Sequence, residues 1–358
     1  MTELDHTLLP GRLGDPDLTF ADDPRADPRI VTALAGADGF APGVEPLGPD
    51  ATIEECLEYT RLFEETNAKG HGLLWSIMPS YDDVERTTET ITGVDGNEIC
   101  LYVHRSKRAD GEAIPCVVHT HGGGMVLMTA ADPLFVRWRN ELARAGMLVV
   151  GVEFRNGGGR LGNHPFPAGL NDCASAVQWV DERRAALGVS TLVISGESGG
   201  GNLSIATTLK AQKEGWGSTI DGVFAMCPYI YGGYGDPDPA LLSLRENDGY
   251  LLACAEMASM VRVYDPTGEH ARNPLAWPHY AEPGDLEGLP PHVVSVNELD
   301  PLRDEGLAFA RKLLDAGVPT TSRVLAGTPH AGDVATPDVT PDLFAATIDA
   351  IHAFARRL

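Results

Sequence analysis

The chain has 358 residues, 43% of them hydrophobic and 22% charged, which provides for one large core with an accessory layer and excludes disordered, fibrous and disulfide-stapled classes. Its 51 Asp and Glu outnumber 27 Lys and Arg, and the formal charge of -24 repels nucleic acid and anionic membrane surfaces, so neither is expected as a partner.

Met1 to Gly11 lacks the basic and apolar regions of a signal peptide, and no run approaches the roughly 18 apolar residues of a membrane span. This predicts a reduced, cytoplasmic, soluble protein. Residues 1 to about 50 are rich in Pro, Gly and Asp without sustained periodicity and read as an irregular lead-in draped on the body. From Ile53 through Cys56, Leu57, Thr60 and Phe63 to Glu64 the less polar positions recur with the spacing of an amphipathic helix. Thr88 to Thr92 and Glu98 to His104 flank Asp95-Gly96, a hairpin signal.

Beyond the hairpin, short apolar runs alternate with helical stretches, the mark of a mostly parallel sheet covered by helices on both faces, an α/β fold. Strands are predicted near Pro115 to Thr120, Met147 to Phe154, Thr191 to Ser195, Gly222 to Cys227, His292 to Asn297 and Thr321 to Leu325. Helices are predicted around Phe135 to Ala145, Gly169 to Leu187, Gly200 to Gln212, Arg303 to Ala316 and Pro341 to Arg356. Pro228 to Pro291 is too long for one crossover, is aromatic and proline-rich, and carries a helical patch near Tyr250 to Tyr264; such an insertion usually covers a site. The expected division is a lead-in and cap segment over 1–85, a catalytic unit over 86–228 and 291–358, and a cap insertion over 229–290. An exposed last strand would offer an edge where two copies could pair into a homo-oligomer. The six cysteines, Cys56, Cys100, Cys116, Cys173, Cys227 and Cys254, form no CxxC pair and no zinc-ligand spacing, and read as small buried hydrophobes.

Gly196-Glu197-Ser198-Gly199-Gly200 follows an apolar strand and precedes a helix, the setting of a nucleophile elbow that lifts a serine hydroxyl off a sheet. A phosphate-cradling turn is the rival, but neither GxGxxG nor GxxxxGK[ST] is present. His121-Gly122-Gly123-Gly124 follows another strand, where side-chain-free residues leave backbone N–H groups open to stabilise an oxyanion. A serine nucleophile needs a base and an orienting carboxylate. Asp300, in the loop after a strand, is favoured over Asp304, which sits in the first helical turn and suits a helix-dipole role. His330 follows the last strand and completes the chain order Ser, Asp, His; His121 and His164 come before the nucleophile.

Together with His164-Pro165-Phe166-Pro167-Ala168 and Asp300-Pro301-Leu302-Arg303-Asp304-Glu305-Gly306, these motifs resemble the α/β-hydrolases of the hormone-sensitive lipase family, the bacterial family IV carboxylesterases. The resemblance implies an α/β-hydrolase fold with a helical cap. It implies Ser198 as nucleophile, Asp300 as triad acid, His330 as base, and Gly123, Gly124 and Gly199 as oxyanion hole. The family's common elbow has Asp before and Ala after the serine, where this chain has Glu197 and Gly199, and the residue after the base, usually Gly, is Ala331. The expected activity is a serine carboxylesterase acting on uncharged esters, lactones included, with a small-molecule substrate and no metal or organic cofactor. An acyltransferase would differ only in an alcohol outcompeting water at the acyl-enzyme. A ligand-binding protein on a silenced hydrolase fold would lack a working base, which the retained Ser198, Asp300 and His330 argue against. Trp75, Tyr229, Tyr231, Tyr234, Tyr250, Met257 and Met260 lie in the expected cap segments and suggest an apolar pocket, although any one of them is also suited to cap core.

Overall fold

Eight strands form one sheet in the order β1 (Val84–Thr92), β2 (Glu98–Ser106), β4 (Leu148–Glu153), β3 (Ile114–Thr120), β5 (Val189–Glu197), β6 (Gly222–Met226), β7 (His292–Asn297) and β8 (Thr320–Leu325). The β1–β2 and β2–β4 pairs are antiparallel and every other pair is parallel. This computed structural model describes residues 9–36, 47, 48, 50–108 and 112–358; the expectations for the first eight residues, and for part of the lead-in, lie outside the described residues.

Strands β6 and β7 are buried along their whole length, and β3 and β5 nearly so, because helices cover both faces. Val117, Val149, Val193 and Phe224 face α3 (Pro133–Arg144) and α12 (Pro341–Ala355) through Trp138, Leu142, Phe344 and Ile351. Their sequence neighbours Cys116, Val118, Val150 and Ile194 pack into the opposite cluster, with Leu170 and Val177 of α4 (Ala168–Glu182) and Leu203 of α6 (Gly199–Glu214). Successive side chains thus fill both layers, which is why these strands read as unbroken apolar runs. The edges β1 and β8 are instead largely exposed, and their Thr, Glu, Arg and Ser residues suit an unpaired rim.

The lead-in is not irregular throughout. It contains α1 (Pro28–Gly36), started by a proline at its first position, and single helical turns at Gly11–Leu13 and Phe20–Asp22. Nine residues make about two and a half turns, too few for a period to stand out among Pro and Gly. Phe20 and Ile30 bury against Tyr250 and Leu299, which ties the lead-in to the insertion and to the loop carrying Asp300. The amphipathic helix, α2 (Ile53–Ile77), begins on a Thr52/Glu55 capping box and runs well beyond Glu64. Its buried positions stop at Glu64, and Leu73, Trp75 and Ile77 face outward, so the apolar period that predicted the first half is missing from the second. The helix expected over Gly169 to Leu187 breaks at Arg183, and α5 (Arg184–Leu187) follows α4.

The insertion holds α7 (Ser243–Glu246), α8 (Cys254–Tyr264) and α9 (Pro283–Leu286). The remaining helices are α10 (Arg303–Asp315) and α11 (Gly332–Ala335), the latter not foreseen. Tyr229, Tyr231, Tyr234, Tyr250, Met257 and Met260 are all buried, whereas Trp75 is 46% exposed. The Tyr229 and Tyr234 rings stack 4.8 Å apart, and the Tyr229 hydroxyl donates to the Met257 carbonyl at 2.6 Å, so these two join the insertion to the main core. Ion pairs stitch the layers together. Arg25 of the lead-in bridges Asp23 and Glu246, and Arg303 bridges Glu246 at 2.8 Å and Asp304 at 2.8 Å. The Asp23 and Glu246 side chains are only 0% and 5% exposed, so these are desolvated pairs whose separation would strand buried charge.

Candidate active site

Ser198 joins the end of β5 to the start of α6 with φ 58° and ψ -119°, a backbone conformation that costs a non-glycine residue about 1–3 kcal/mol. The strain is held from both sides: the Ser198 amide donates to the Met226 carbonyl at 2.9 Å, and the Ser198 carbonyl accepts from Tyr229 at 3.1 Å. The side chain is left half-buried at the head of α6. From the same helix Asn202 donates to the Tyr229 and Ala276 carbonyls, both at 2.9 Å, and so fastens the insertion to the elbow.

The loop after β3 lies directly against this turn. Gly123 has φ 102°, and a Cβ there would stand 2.2 Å from the Leu127 carbonyl oxygen, so only glycine suits the tight turn in which Val126 and Leu127 both donate back to Gly123 at 3.0 Å. A Cβ on Gly199 would stand 2.6 Å from the Met125 amide nitrogen and 2.7 Å from that of Gly124. The backbone of the elbow and the amides of the loop therefore converge on one small volume, as an oxyanion hole requires. Met260 of α8 roofs the loop, its sulfur 2.8 Å from where a Cβ on Gly124 would sit. Below it, His121 stacks on Phe154 at 4.1 Å with Nδ1 2.8 Å from the Gly122 carbonyl. Burial drives its pKa down to about 3, so His121 is a neutral, structural ring.

Across the sheet edge, His330 Nδ1 lies 2.8 Å from Asp300 Oδ2, while Asp300 Oδ1 accepts from the Leu302 amide at 2.9 Å. Asp300 is wholly buried and the His330 side chain is 14% exposed. Burial disfavours the imidazolium, but the Asp300 carboxylate outweighs it and holds the His330 pKa well above the usual histidine range, with help from the nearby Cys227 thiol. Asp304 points elsewhere: it accepts from the Ser243 amide at 2.8 Å and pairs with Arg303. His164 is exposed outside this cluster. Ser198, the Gly122–Gly124 loop and the Asp300–His330 pair, predicted from three separated stretches, thus all lie at the carboxyl ends of β3, β5 and β7, with β8 leading to the histidine.

A family profile described as α/β-hydrolase fold matches residues 117–332. Brefeldin A esterase, described as a bacterial homologue of human hormone-sensitive lipase, superposes with a TM-score of 0.88 at 46% identity over 97% of this chain and 98% of its own. The chain belongs to the hormone-sensitive lipase family of α/β-hydrolases. Among other relatives, an arylesterase of Saccharolobus solfataricus is 29% identical over 282 residues, 77% of this chain and 86% of that protein. Carboxylesterase NlhH of Mycobacterium tuberculosis is 34% identical over 212 residues, 57% of this chain and 62% of that relative, so the match spans less than two thirds of it. The family member described here is a carboxylic ester hydrolase.

Its departures from the common family motifs have local causes. With Gly199 in place of Ala, the Gly122–Met125 loop closes to a distance that a methyl group would prevent. With Glu197 in place of Asp, the longer side chain accepts the Gly122 amide at 2.8 Å through one oxygen and faces His119 Nε2 at 3.1 Å with the other, clamping the base of that loop. Ala331 takes the left-handed φ of 53° that glycine usually supplies. The clamping role of Glu197 is absent from the motif reading, because a residue pointing away from the substrate leaves no trace in spacing. Cys227 was likewise counted only as core, yet it lies beside His330 and Asp300.

Proposed function

We propose that this enzyme hydrolyses uncharged carboxylic esters, cyclic esters included, through a Ser198–His330–Asp300 triad and an acyl-enzyme intermediate. The observation that carries the reading is the 2.8 Å contact of buried Asp300 with His330 at the sheet edge that also presents the strained Ser198. Ser198 attacks the ester carbonyl as His330 Nε2 takes its proton, and the oxyanion is held by the N–H groups of Gly123, Gly124 and Gly199. His330 then protonates the leaving alcohol; water repeats the sequence on the acyl-enzyme. Asp300 holds the Nδ1–H tautomer and stabilises the imidazolium without itself taking the proton. In this reading 86–228 and 291–358 form the catalytic unit, while 1–85 and 229–290 supply the cap. The apolar roof at Met260 favours uncharged substrates, and the chain's formal charge of -24 disfavours anionic ones.

Hydrolysis of a p-nitrophenyl ester series from acetate to dodecanoate, run beside folded Ser198→Ala protein, tests the reading. Activity that peaks at short acyl chains and disappears in the variant supports it. Equal activity in the variant overturns the triad, and a folded parent chain inert on every ester overturns the substrate class.

A further inference from the structure

The fold assembles one group of potential metal ligands among the described residues: Cys227, Asp300 and His330, with a ligand atom of each within 4.8 Å of the other two. They come from the ends of different strands and from different loops, so no sequence spacing announces them. Cys227 directly follows β6, its amide donates to the Ser295 carbonyl at 2.7 Å, and its φ of 34° is one that L-residues avoid. Cys227 is 1% exposed and Asp300 0%, while the His330 side chain, 14% exposed, gives the cluster its opening to solvent.

We propose that this cluster is an inhibitory site for a thiophilic divalent cation of the zinc and cadmium class, bound by the Cys227 thiolate, a His330 ring nitrogen and an Asp300 oxygen. Thiolate, imidazole and carboxylate together select such ions over magnesium or calcium. Zinc bond lengths of about 2.0–2.3 Å place tetrahedral ligands roughly 3.3–3.6 Å apart, so from separations of up to 4.8 Å the three groups need close by at most about 1.2–1.5 Å. The charges also close: one thiolate and one carboxylate neutralise one divalent ion, which leaves no uncompensated charge in a buried place. Binding releases the proton of the Cys227 thiol and one ring proton of the His330 imidazolium that Asp300 favours, and it forms one metal–sulfur bond; nothing is oxidised or reduced. Coordination through His330 Nδ1 replaces its 2.8 Å contact with Asp300. It leaves the ring proton on Nε2, and coordination through Nε2 occupies the nitrogen that takes the serine proton. Either way the ring no longer serves as a base.

The inhibition rests on His330 being the base, as proposed above; the binding does not, and the two are measured separately. Cadmium chloride is titrated into the full chain in a non-chelating buffer without substrate, following the ultraviolet charge-transfer absorbance of a cadmium–thiolate bond. Zinc and cadmium inhibition of p-nitrophenyl acetate hydrolysis is followed in parallel, with magnesium as control. The expected result is one ion per chain, an absorbance and an inhibition that saturate together, reversal by EDTA and no response to magnesium. Cys227→Ala and Cys227→Ser are each expected to lose the absorbance and to raise the inhibitory concentration by at least about 10–100-fold, the loss already seen when only an outer partner of a metal site is removed. Inhibition of folded Cys227 variants at the parent's concentration overturns the proposal. So does the absence of the band in the parent at about 1 mM cadmium, a result that needs no variant to fold. Cadmium binding in a chain that hydrolyses no ester would keep the metal site and remove the esterase mechanism instead.

Discussion

Gly199→Ala restores the residue common in this family, and the structure says that here it is harmful. The added methyl carbon would lie 2.6 Å from the Met125 nitrogen, 2.7 Å from the Gly124 nitrogen and 2.8 Å from the Gly124 Cα, whereas ordinary contact begins at 3.4 Å. All three neighbours are backbone, so relief requires the loop and the elbow to separate by about 0.6–0.8 Å, the difference between those distances. That displacement acts on the amides assigned to the oxyanion. Loss of one donor costs about 10²–10³ in rate, or about 2.7–4 kcal/mol, and a misplacement of 1 Å costs about 10². We therefore expect kcat on p-nitrophenyl acetate to fall by about 10–100-fold with little change in KM, because the affected contact strengthens in the transition state. Stability should change less: Ala gains up to about 1 kcal/mol of helix propensity over Gly, against about 1–3 kcal/mol for overpacking. Gly70→Ala is the control, since that glycine lies in helix α2 with nothing within 4 Å of an added Cβ. Steady-state kinetics and urea unfolding of both variants decide the matter. A Gly199→Ala enzyme with parental kcat would refute the close approach of loop and elbow on which the oxyanion assignment rests.

Asp300→Asn should keep the fold and lower kcat on the order of 10⁴-fold, as expected when the amide stabilises the wrong imidazole tautomer; a tenfold loss or less would remove Asp300 from the triad. Glu305 is fully buried, and burial pushes its pKa up to about 8 against the hydrogen bonds that its carboxylate accepts from Ile230, Tyr234 and Tyr231. Between its ordinary value of 4.5 and about 8 the folded chain binds one proton more than the unfolded chain, so this group's contribution is complete at low pH and is lost as pH rises through 8. Urea midpoints across that window should decline more steeply in the parent than in Glu305→Gln, and parallel slopes would contradict the assignment. Glu246→Ala leaves Arg25 and Arg303 without their shared partner and should cost about 3 kcal/mol in urea unfolding, whereas a loss below about 1 kcal/mol would place these pairs with ordinary surface bridges. Glu197→Ala should lower kcat more than KM by releasing the Gly122 amide, and Glu197→Gln, which keeps an acceptor oxygen, should recover most of that loss.

Which parts of this enzyme were readable depends on how far each relies on distant neighbours. The sheet was legible almost strand by strand, because a strand buried on both faces must be apolar throughout, as Val117, Val118, Val193 and Ile194 are. Ser198 was legible because the elbow is a local object: strand, tight turn and helix are contiguous in the chain. Asp300 and His330 were placed by chain order and by their loops, and the 2.8 Å contact between them is the long-range fact that order alone could not supply. The second half of α2 left little signal because none of its residues is fully buried, and α1 left none because nine residues are too few to carry a period.

The insertion after β6 differs in kind. Beside its apolar packing it is held by single polar contacts between residues far apart in sequence: Asn202 to Ala276, Arg303 to Glu246, Arg25 to Glu246, and Glu305 to the amides of Ile230 and Tyr231. No periodicity encodes such contacts, since each side chain alone reads as an ordinary solvated residue. Cys227 follows the same logic. A thiol scored as one more small hydrophobe becomes chemically distinct only when β6 and the two loops bring it within 4.8 Å of Asp300 and His330. The local geometry of the Ser198 elbow is thus written in neighbouring residues, while what surrounds it is written in pairs, and the second kind of information requires the folded chain.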